Sequence, residues 1–416
     1  MLVYVLNIDG HPLMPTERCG KVRRLLNSNK AKVVKRCPFT IQLMYKSTTY
    51  TQDVSLGIDT GSKHIGVSAT TDDKELYAAD VKLRNNIVEL ISTRREARRV
   101  RRNRKTRYRK PRFNNRKRKD GWLAPSVQNK VDTHLTVIRK VHEILPITKI
   151  IVEVASFDIQ KIKNPTISGT EYQQGEQLDF WNVREYVLFR DGHICQCCRG
   201  KSKDKILNVH HIESRKTGGN APNNLITLCE TCHTGYHKGT VILPKTIKRG
   251  MKFKDATFMG VMRWALYNEL KSIYPNVNLT YGYITKNSRI ENNLSKDHYI
   301  DARCISGNPK AKPLGYVYYQ KKVRCHNRQI HKYKINKGSV RKCNQAEYMV
   351  KGFKLFDKVG FDGKEYFIFG RRTSGFFDIR DLQGNKVNKG SISYKKLKYL
   401  YTPNSYLTER RTQDIA

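Results

Sequence analysis

The sequence predicts a multidomain α/β protein: one layered sheet interrupted first by an arginine-rich helix and then by a small cysteine-pinned insert, and followed by a small C-terminal β unit. Three observations predict it. Acidic residues stand in strand-like or helix-like settings far apart in the chain, at Asp59, Glu153 and Asp301. Between the last two lie two C-x2-C pairs, Cys195/Cys198 and Cys229/Cys232, with histidines around them. The 416 residues carry 80 Lys plus Arg against 36 Asp plus Glu, a net charge of +44. That excess is beyond what solubility needs and points to a polyanion, nucleic acid before a membrane surface. No basic amphipathic helix adjoins an apolar anchor, no run of about 18 apolar residues occurs, and the N-terminal MLVYVL is too short for a signal peptide. Of ten cysteines, five cluster and the rest (Cys19, Cys37, Cys304, Cys325, Cys343) are scattered, a pattern of metal ligands in a reducing cytosol.

Residues 1–52 read as a small α/β module with a basic face: a strand at VYVLN, a basic helix at RCGKVRRLL and a strand near KAKVVKR. Pro12-Leu13-Met14-Pro15 has no chemistry of its own. From residue 54, VSLGIDTGSKHIGVSATT and KELYAADVKL give three strand-like runs, with Gly61 and Gly66 keeping a turn small. Asp59 ends the first, where a carboxylate can face a metal. Three readings compete here. DTGS also occurs in aspartic proteases, which need a second copy; G-I-D-x-G opens sugar-kinase and actin-like ATPases, which need a second phosphate loop. The third, an RNase H-like strand of the RuvC type, is preferred because later segments supply its partners.

Residues 84–120 contain RREARRVRRNRKTRYRKPRFNNRKRK, which predicts a helix up to Lys110, with Pro111 ending or kinking it. Arg94, Arg95, Arg98, Arg99, Arg101, Arg102 and Arg104 cover every side of the rod, and Arg107, Arg109 and Arg112 extend it. Only Ala97, Val100 and Tyr108 are candidates for packing. Such a rod repels itself in water and makes sense among phosphates, RNA first; the alternative is a disordered basic stretch. An amphipathic helix follows over 125–145 (Val131, Leu135, Val137, Ile138, Val141, Leu145), then a buried strand, KIIVEVASFD. Glu153 amid Ile150, Ile151, Val152 and Val154 is unfavourable unless paired or metal-bound; the alternative is an edge strand facing water.

A helix over 177–192 leads into the insert. Two C-x2-C pairs about thirty residues apart can give four thiolates to one tetrahedral Zn2+. His210 and His211 lie between them, as does Asn224; His233 and His237 follow, four apart on one helix face. This order resembles the HNH nuclease motif, two strands and a helix around one catalytic cation. On that reading His210, His233 and His237 ligate the metal, His211 is the general base and Asn224 orients the loop. HNH domains often carry Asp where His210 stands, so the ion stays open between Mg2+ and a softer one. The alternative is a zinc knuckle that only binds, with incidental histidines; Cys197 is a spare thiol.

Next come a helix over 257–273, a strand at VNLTYGYI and a helix at LSKDHYIDARCIS, which puts His298 and Asp301 on one face. Asp59, Glu153 and Asp301, with His298, are the set a two-metal phosphodiesterase needs. The last hundred residues show short alternating runs broken by Asp-Gly and Gln-Gly turns, an antiparallel β unit in which Arg371 and Arg372 mark a basic turn; the functional reading is contact with duplex DNA, and the alternative is a small stabilising barrel.

GIDTGSKHIG, VEVASFD and DHYIDA, the arginine rod, the HNH signature and the PLMP string together resemble the IscB proteins, transposon-encoded relatives of the type II CRISPR effectors. The resemblance implies seven segments: a PLMP domain (1–52), RuvC-I (53–83), an arginine-rich bridge helix (84–120), RuvC-II (121–175), HNH (176–245), RuvC-III (246–310) and a C-terminal domain that reads a target-adjacent motif (311–416). It implies a ββα-metal HNH fold, Mg2+ at the RuvC site, structural Zn2+ and a guide RNA (ωRNA). It further implies a monomeric ribonucleoprotein in the bacterial or archaeal cytoplasm, near the nucleoid, that cleaves double-stranded DNA. HNH would cut the RNA-paired strand and RuvC the displaced one, with base pairing carrying sequence choice. Two rivals are a protein-guided nuclease of homing or junction-resolving type and a non-enzymatic basic RNA-binding zinc protein.

Overall fold

The computed structural model describes residues 2–103, 121–154, 180, 182–215, 219–250, 254–323, 334–335, 341–342 and 347–412. The chain divides into two compact units, Met1–Ala155 with Met259–Ala416, and Ser156–Phe258. Among the described residues no helix is long and apolar enough to cross a membrane.

The first unit opens with β1 (Val3–Leu6), β2 (Pro12–Thr16), α1 (Cys19–Asn27), β3 (Ala31–Arg36) and β4 (Phe39–Leu43), a sheet of order β2-β1-β4-β3. Val3, Val5, Val22, Ala31, Ile41 and Leu43 form its core. The PLMP string, which suggested no element, is the edge strand β2. Proline lacks the N–H that a central strand must donate, and an edge tolerates that loss.

β5 (Ser55–Thr60), β6 (His64–Thr70) and β7 (Glu75–Lys82) follow as antiparallel neighbours. α2 (Ile87–Asn103) leaves Arg94, Arg95, Arg98 and Arg99 exposed. Val100, expected to pack, is 55% exposed. Arg101 and Arg102 fall within this helix, while Arg104, Arg107, Arg109 and Arg112 lie outside the described residues, as do Tyr108, Cys325 and Cys343. α3 (Pro125–His142) starts on a proline at its first turn and buries Val131, Val137, Ile138 and Val141. Leu135, expected on that face, is only half-buried. β8 (Lys149–Val154) is buried almost throughout, so the edge-strand alternative for Glu153 does not hold.

In the second unit lie α4 (Val183–Arg190), β9 (Leu207–His211), β10 (Leu225–Cys229) and α5 (Glu230–Lys238). The chain returns through α6 (Lys254–Ile273), β11 (Val277–Tyr281), α7 (Gly282–Glu291) and α8 (His298–Ile305). Residues 282–284, expected to continue the strand, instead open α7. β12 (Tyr316–Lys322), β13 (Lys334–Ile335), β14 (Arg341–Lys342), β15 (Lys358–Phe361), β16 (Lys364–Arg371), β17 (Phe376–Arg380), β18 (Ile392–Ser393), β19 (Lys398–Tyr401) and β20 (Tyr406–Thr412) complete it.

The central sheet has seven strands in the order β11-β8-β5-β6-β7-β12-β20. β12 runs parallel to β7 and antiparallel to β20. The segment 311–416 is therefore not a separate domain as expected: its first and last strands belong to the central sheet, and the small β unit is what lies between them. There β18-β17-β16-β15-β19 form an antiparallel sheet over Val350, Phe353, Val359, Ile368, Phe377, Ile379, Ile392 and Leu397. β15 and β16 join through Asp362-Gly363, both at positive φ, as a two-residue hairpin demands.

α8 sits directly on β5 and β6. A Cβ at Gly57 would overlap the Ala302 carbonyl, and one at Gly66 would overlap the His298 carbonyl. Only hydrogen fits between helix backbone and sheet. Gly57→Ala and Gly66→Ala are each expected to lower the Tm of the purified protein by at least ~3 °C through overpacking, read by circular dichroism. An unchanged Tm would mean the helix is not seated there.

Candidate active sites

The seating of α8 assembles the acidic residues of the first unit. Gly57 and Asp59 are two apart on β5 and share the face that α8 covers. β8 runs parallel to β5 with Val152 opposite Ile58, so the next residue on each strand is an acid. Thr60 Oγ1 donates to the Glu153 carbonyl at 2.7 Å, holding those strand ends together. α8 contributes His298 and Asp301. His298 Nδ1 lies 2.6 Å from Asp59 Oδ2, and the His298 side chain stays 45% exposed.

Each carboxylate leans on a basic partner. Arg263 Nη2 donates to Glu153 Oε1 at 2.9 Å, and its Nε and Nη2 hold the Thr60 carbonyl at 3.1 and 2.9 Å. Arg289 Nε lies 3.0 Å from Asp301 Oδ1. Burial first, and the charge of Asp59 second, push the Glu153 carboxyl up to about 7; Asp301 adds to that push and Arg263 opposes it. Burial, then Asp59, raises Asp301 as well. The hydrogen bond to Asp59 raises His298. These acids thus crowd one another's charge. Hard carboxylate oxygens in that state suit a divalent cation such as Mg2+, which would offset the repulsion.

Sequence reasoning missed Arg263, Arg289, His64 and Asp80. His64 stacks on His298 (centroids 5.3 Å, 7° between planes), and its Nδ1 lies 2.7 Å from Asp80 Oδ1. Arg263 had a signal: it interrupts an apolar run, VMRWAL, as Glu153 interrupts KIIVEV. His64, Asp80 and Arg289 had none.

In the second unit β9 and β10 pair antiparallel, His210 against Ile226 and Leu207 against Cys229, and α5 follows β10 at once. Gly239, in the left-handed conformation, ends α5. Among the described residues ligand atoms converge within 4.8 Å of one another in two groups, both in this unit: Cys195, Cys198, Cys229 and Cys232, and His210, His233 and His237. All four thiols are free, and the Ser202 hydroxyl holds Cys198 down to about 6. Their softness and number suit Zn2+.

His210 is buried, its Nε2 has no hydrogen-bond partner, and His233 and His237 approach each other to 3.3 Å through their Nε2 atoms. Burial, then the neighbouring imidazoles, pushes His210 down to about 4, so it is neutral and able to ligate at neutral pH. Such an orphaned nitrogen fits a metal ion bound among the three rings. His211 Nε2 lies 3.0 Å from Asn220 Oδ1, a partner that sequence reasoning missed. Asn224 is fully buried. Its Oδ1 accepts from the Glu213 amide, and its Nδ2 donates to the Glu213 and Gly219 carbonyls, each at 2.9 Å. It clips the two ends of the loop after His211.

The basic pair of the C-terminal β unit divides. Arg371 turns inward and donates from Nη1 to the Phe353 carbonyl at 3.1 Å, whereas Arg372 braces Ser391 Oγ at 3.1 Å and stays exposed.

The family described as RRXRR protein matches residues 3–175, and the family described as HNH endonuclease matches residues 195–239. The chain carries an HNH endonuclease domain. No curated protein matches the chain. Among solved structures it is similar to Streptococcus thermophilus Cas9 in complex with the AGAA PAM (TM-score 0.33, 11% identity, 59% of this chain and 32% of that one). It is also similar to Cas9 of the same organism in complex with the GGAA PAM (TM-score 0.33, 13% identity, 58% and 31%). The chain thus spans about a third of the length of these structures.

A carboxyl raised on folding destabilises the fold as pH climbs from its unfolded value towards its folded one. In divalent-free buffer, Glu153→Gln is expected to raise Tm by a few degrees above about pH 7 and by little near pH 4, measured by differential scanning calorimetry. Metal analysis is expected to find about one zinc per chain held by the thiolates. Cys229→Ser should release it and open residues 195–239 to trypsin, while the unit carrying the central sheet keeps its Tm.

Proposed function

We propose that this protein is an RNA-guided DNA endonuclease of the Cas9/IscB kind with two cutting centres. The observation that carries the reading is the meeting of Asp59, Glu153 and the His298/Asp301 pair, drawn from three distant segments, in a chain that also holds an HNH endonuclease domain. The central sheet, with acids on adjacent strands and a helix laid across them, supports an RNase H-like, RuvC-type centre. The exposed arginines of α2, the net charge of +44 and the match to the RRXRR family support a guide RNA as the polyanion.

Asp59, Glu153 and Asp301 would hold a divalent cation, which would supply charge stabilisation at a phosphate. His298, held through Nδ1 by Asp59, presents Nε2 to take a proton from the attacking water. Arg263 fixes the Glu153 carboxylate and the end of β5 in one grip. In the HNH unit His210, His233 and His237 form the ligand set, His211 is the base, and Asn224 sets the loop that follows it. HNH cuts the RNA-paired strand and the RuvC-type centre the displaced one. Base pairing selects the sequence, while the β unit between β12 and β20, with Arg372 exposed, contacts the duplex.

A structured RNA of uniform length is expected to copurify with the protein. On a duplex matched to that RNA, Asp59→Ala should still nick the RNA-paired strand and His211→Ala the displaced one, each with at least about 100-fold loss on the other strand. Full cleavage by the double variant would remove both assignments. Cleavage without bound RNA would favour a protein-guided nuclease.

A further inference from the structure

We propose that Tyr281 and Tyr283 form a stacking platform for the bases of a single DNA strand running past the carboxylates of the central sheet. The inference rests on the nuclease reading of that centre and names what holds its substrate. Tyr281 is the last residue of β11, and Tyr283 lies in the first turn of α7. Their rings are 13° from parallel with centroids 6.1 Å apart, and the residues are 38% and 67% exposed. Large aromatic surface is thus held at a rigid strand-to-helix junction and left in water.

Gly282, between the two tyrosines, faces the acidic centre: a Cβ there would lie 3.3 Å from Glu153 Oε1. The backbone that joins the two tyrosines therefore packs against a carboxylate proposed to hold the cation. Lys286 is exposed three residues after Tyr283, on the same side of α7, and offers an ammonium to the backbone of a strand whose bases lie on the rings.

The geometry selects a single strand. Bases inside a duplex stack on each other and show only their edges in the grooves, whereas an unpaired strand offers its faces. Stacking accepts any base, because every base has a π-face. That suits a strand whose sequence the protein does not read.

The test uses the full chain with its copurified RNA. Single-stranded DNA bearing 5-iododeoxyuridine is irradiated on the protein and adducts are mapped by mass spectrometry; strand-resolved cutting of duplex is followed in parallel. Adducts are expected on Tyr281 or Tyr283. Tyr281→Ala with Tyr283→Ala should raise KM for displaced-strand cutting about 10-fold, leave kcat within about 2-fold and spare the RNA-paired strand. Tyr281→Phe with Tyr283→Phe, which keeps both π-faces, should behave as wild type. Absence of adducts on both tyrosines, or a wild-type KM in the double alanine variant, overturns the proposal. Asp59→Ala separates it from the nuclease reading. That variant should lose displaced-strand cutting yet keep the tyrosine adducts, and if it cuts normally the nuclease reading fails while the platform stands.

Discussion

The central sheet and its acids depend on one close approach, the backbone of α8 laid on β5 and β6 where Gly57 and Gly66 leave no side chain between them. Side chains normally hold a helix off a sheet. Removing them at two points lets His298 reach Asp59 and brings Asp301 within electrostatic range of Glu153. The same contact buries like charges together, which the fold alone would not favour. Arg263 and Arg289 partly neutralise them, and the raised Glu153 carboxyl records what is left over. Clustered acids with perturbed protonation are commoner at centres organised for chemistry than elsewhere in a fold.

The HNH unit meets a different constraint. Its described core is two small clusters, Ile226 and Leu228 with Cys195, Cys229 and Cys232, and Tyr186 and Val187 with Leu225. In a unit of this size a metal held by the four thiolates would take the place of a larger core. Within that unit His210 is buried, and burial with the neighbouring imidazoles keeps its ring neutral. Asn224 adds local order by tying both ends of the loop after His211 with its own amide.

Much of this was legible because it repeats with short periods or violates a local rule. Two C-x2-C pairs and an i, i+4 histidine pair need no tertiary information, and Glu153 announces itself as a charge in an apolar strand. The strands and helices that carry the acids came from the same patterns. What was not legible depends on contacts across the fold. Nothing in GSKHIG shows that His64 will stack on His298, and nothing near Arg289 shows that it will meet Asp301. The PLMP strand was hidden by its prolines. The inward turn of Arg371 was hidden because a basic turn looks alike whether it faces phosphates or backbone carbonyls. The reach of the C-terminal segment into the central sheet is a matter of pairing partners, which alternation within a strand does not encode.

That last pairing bears on how the protein is made. β7 finds its neighbour β12 only after roughly 230 further residues, and β12 is flanked in turn by β20. At ribosomal speeds β7 waits about 12–50 s with an open edge, a template for wrong partners. During that interval the arginine helix has already emerged, so a nucleic acid captured early would act as a solubilising companion for the nascent chain.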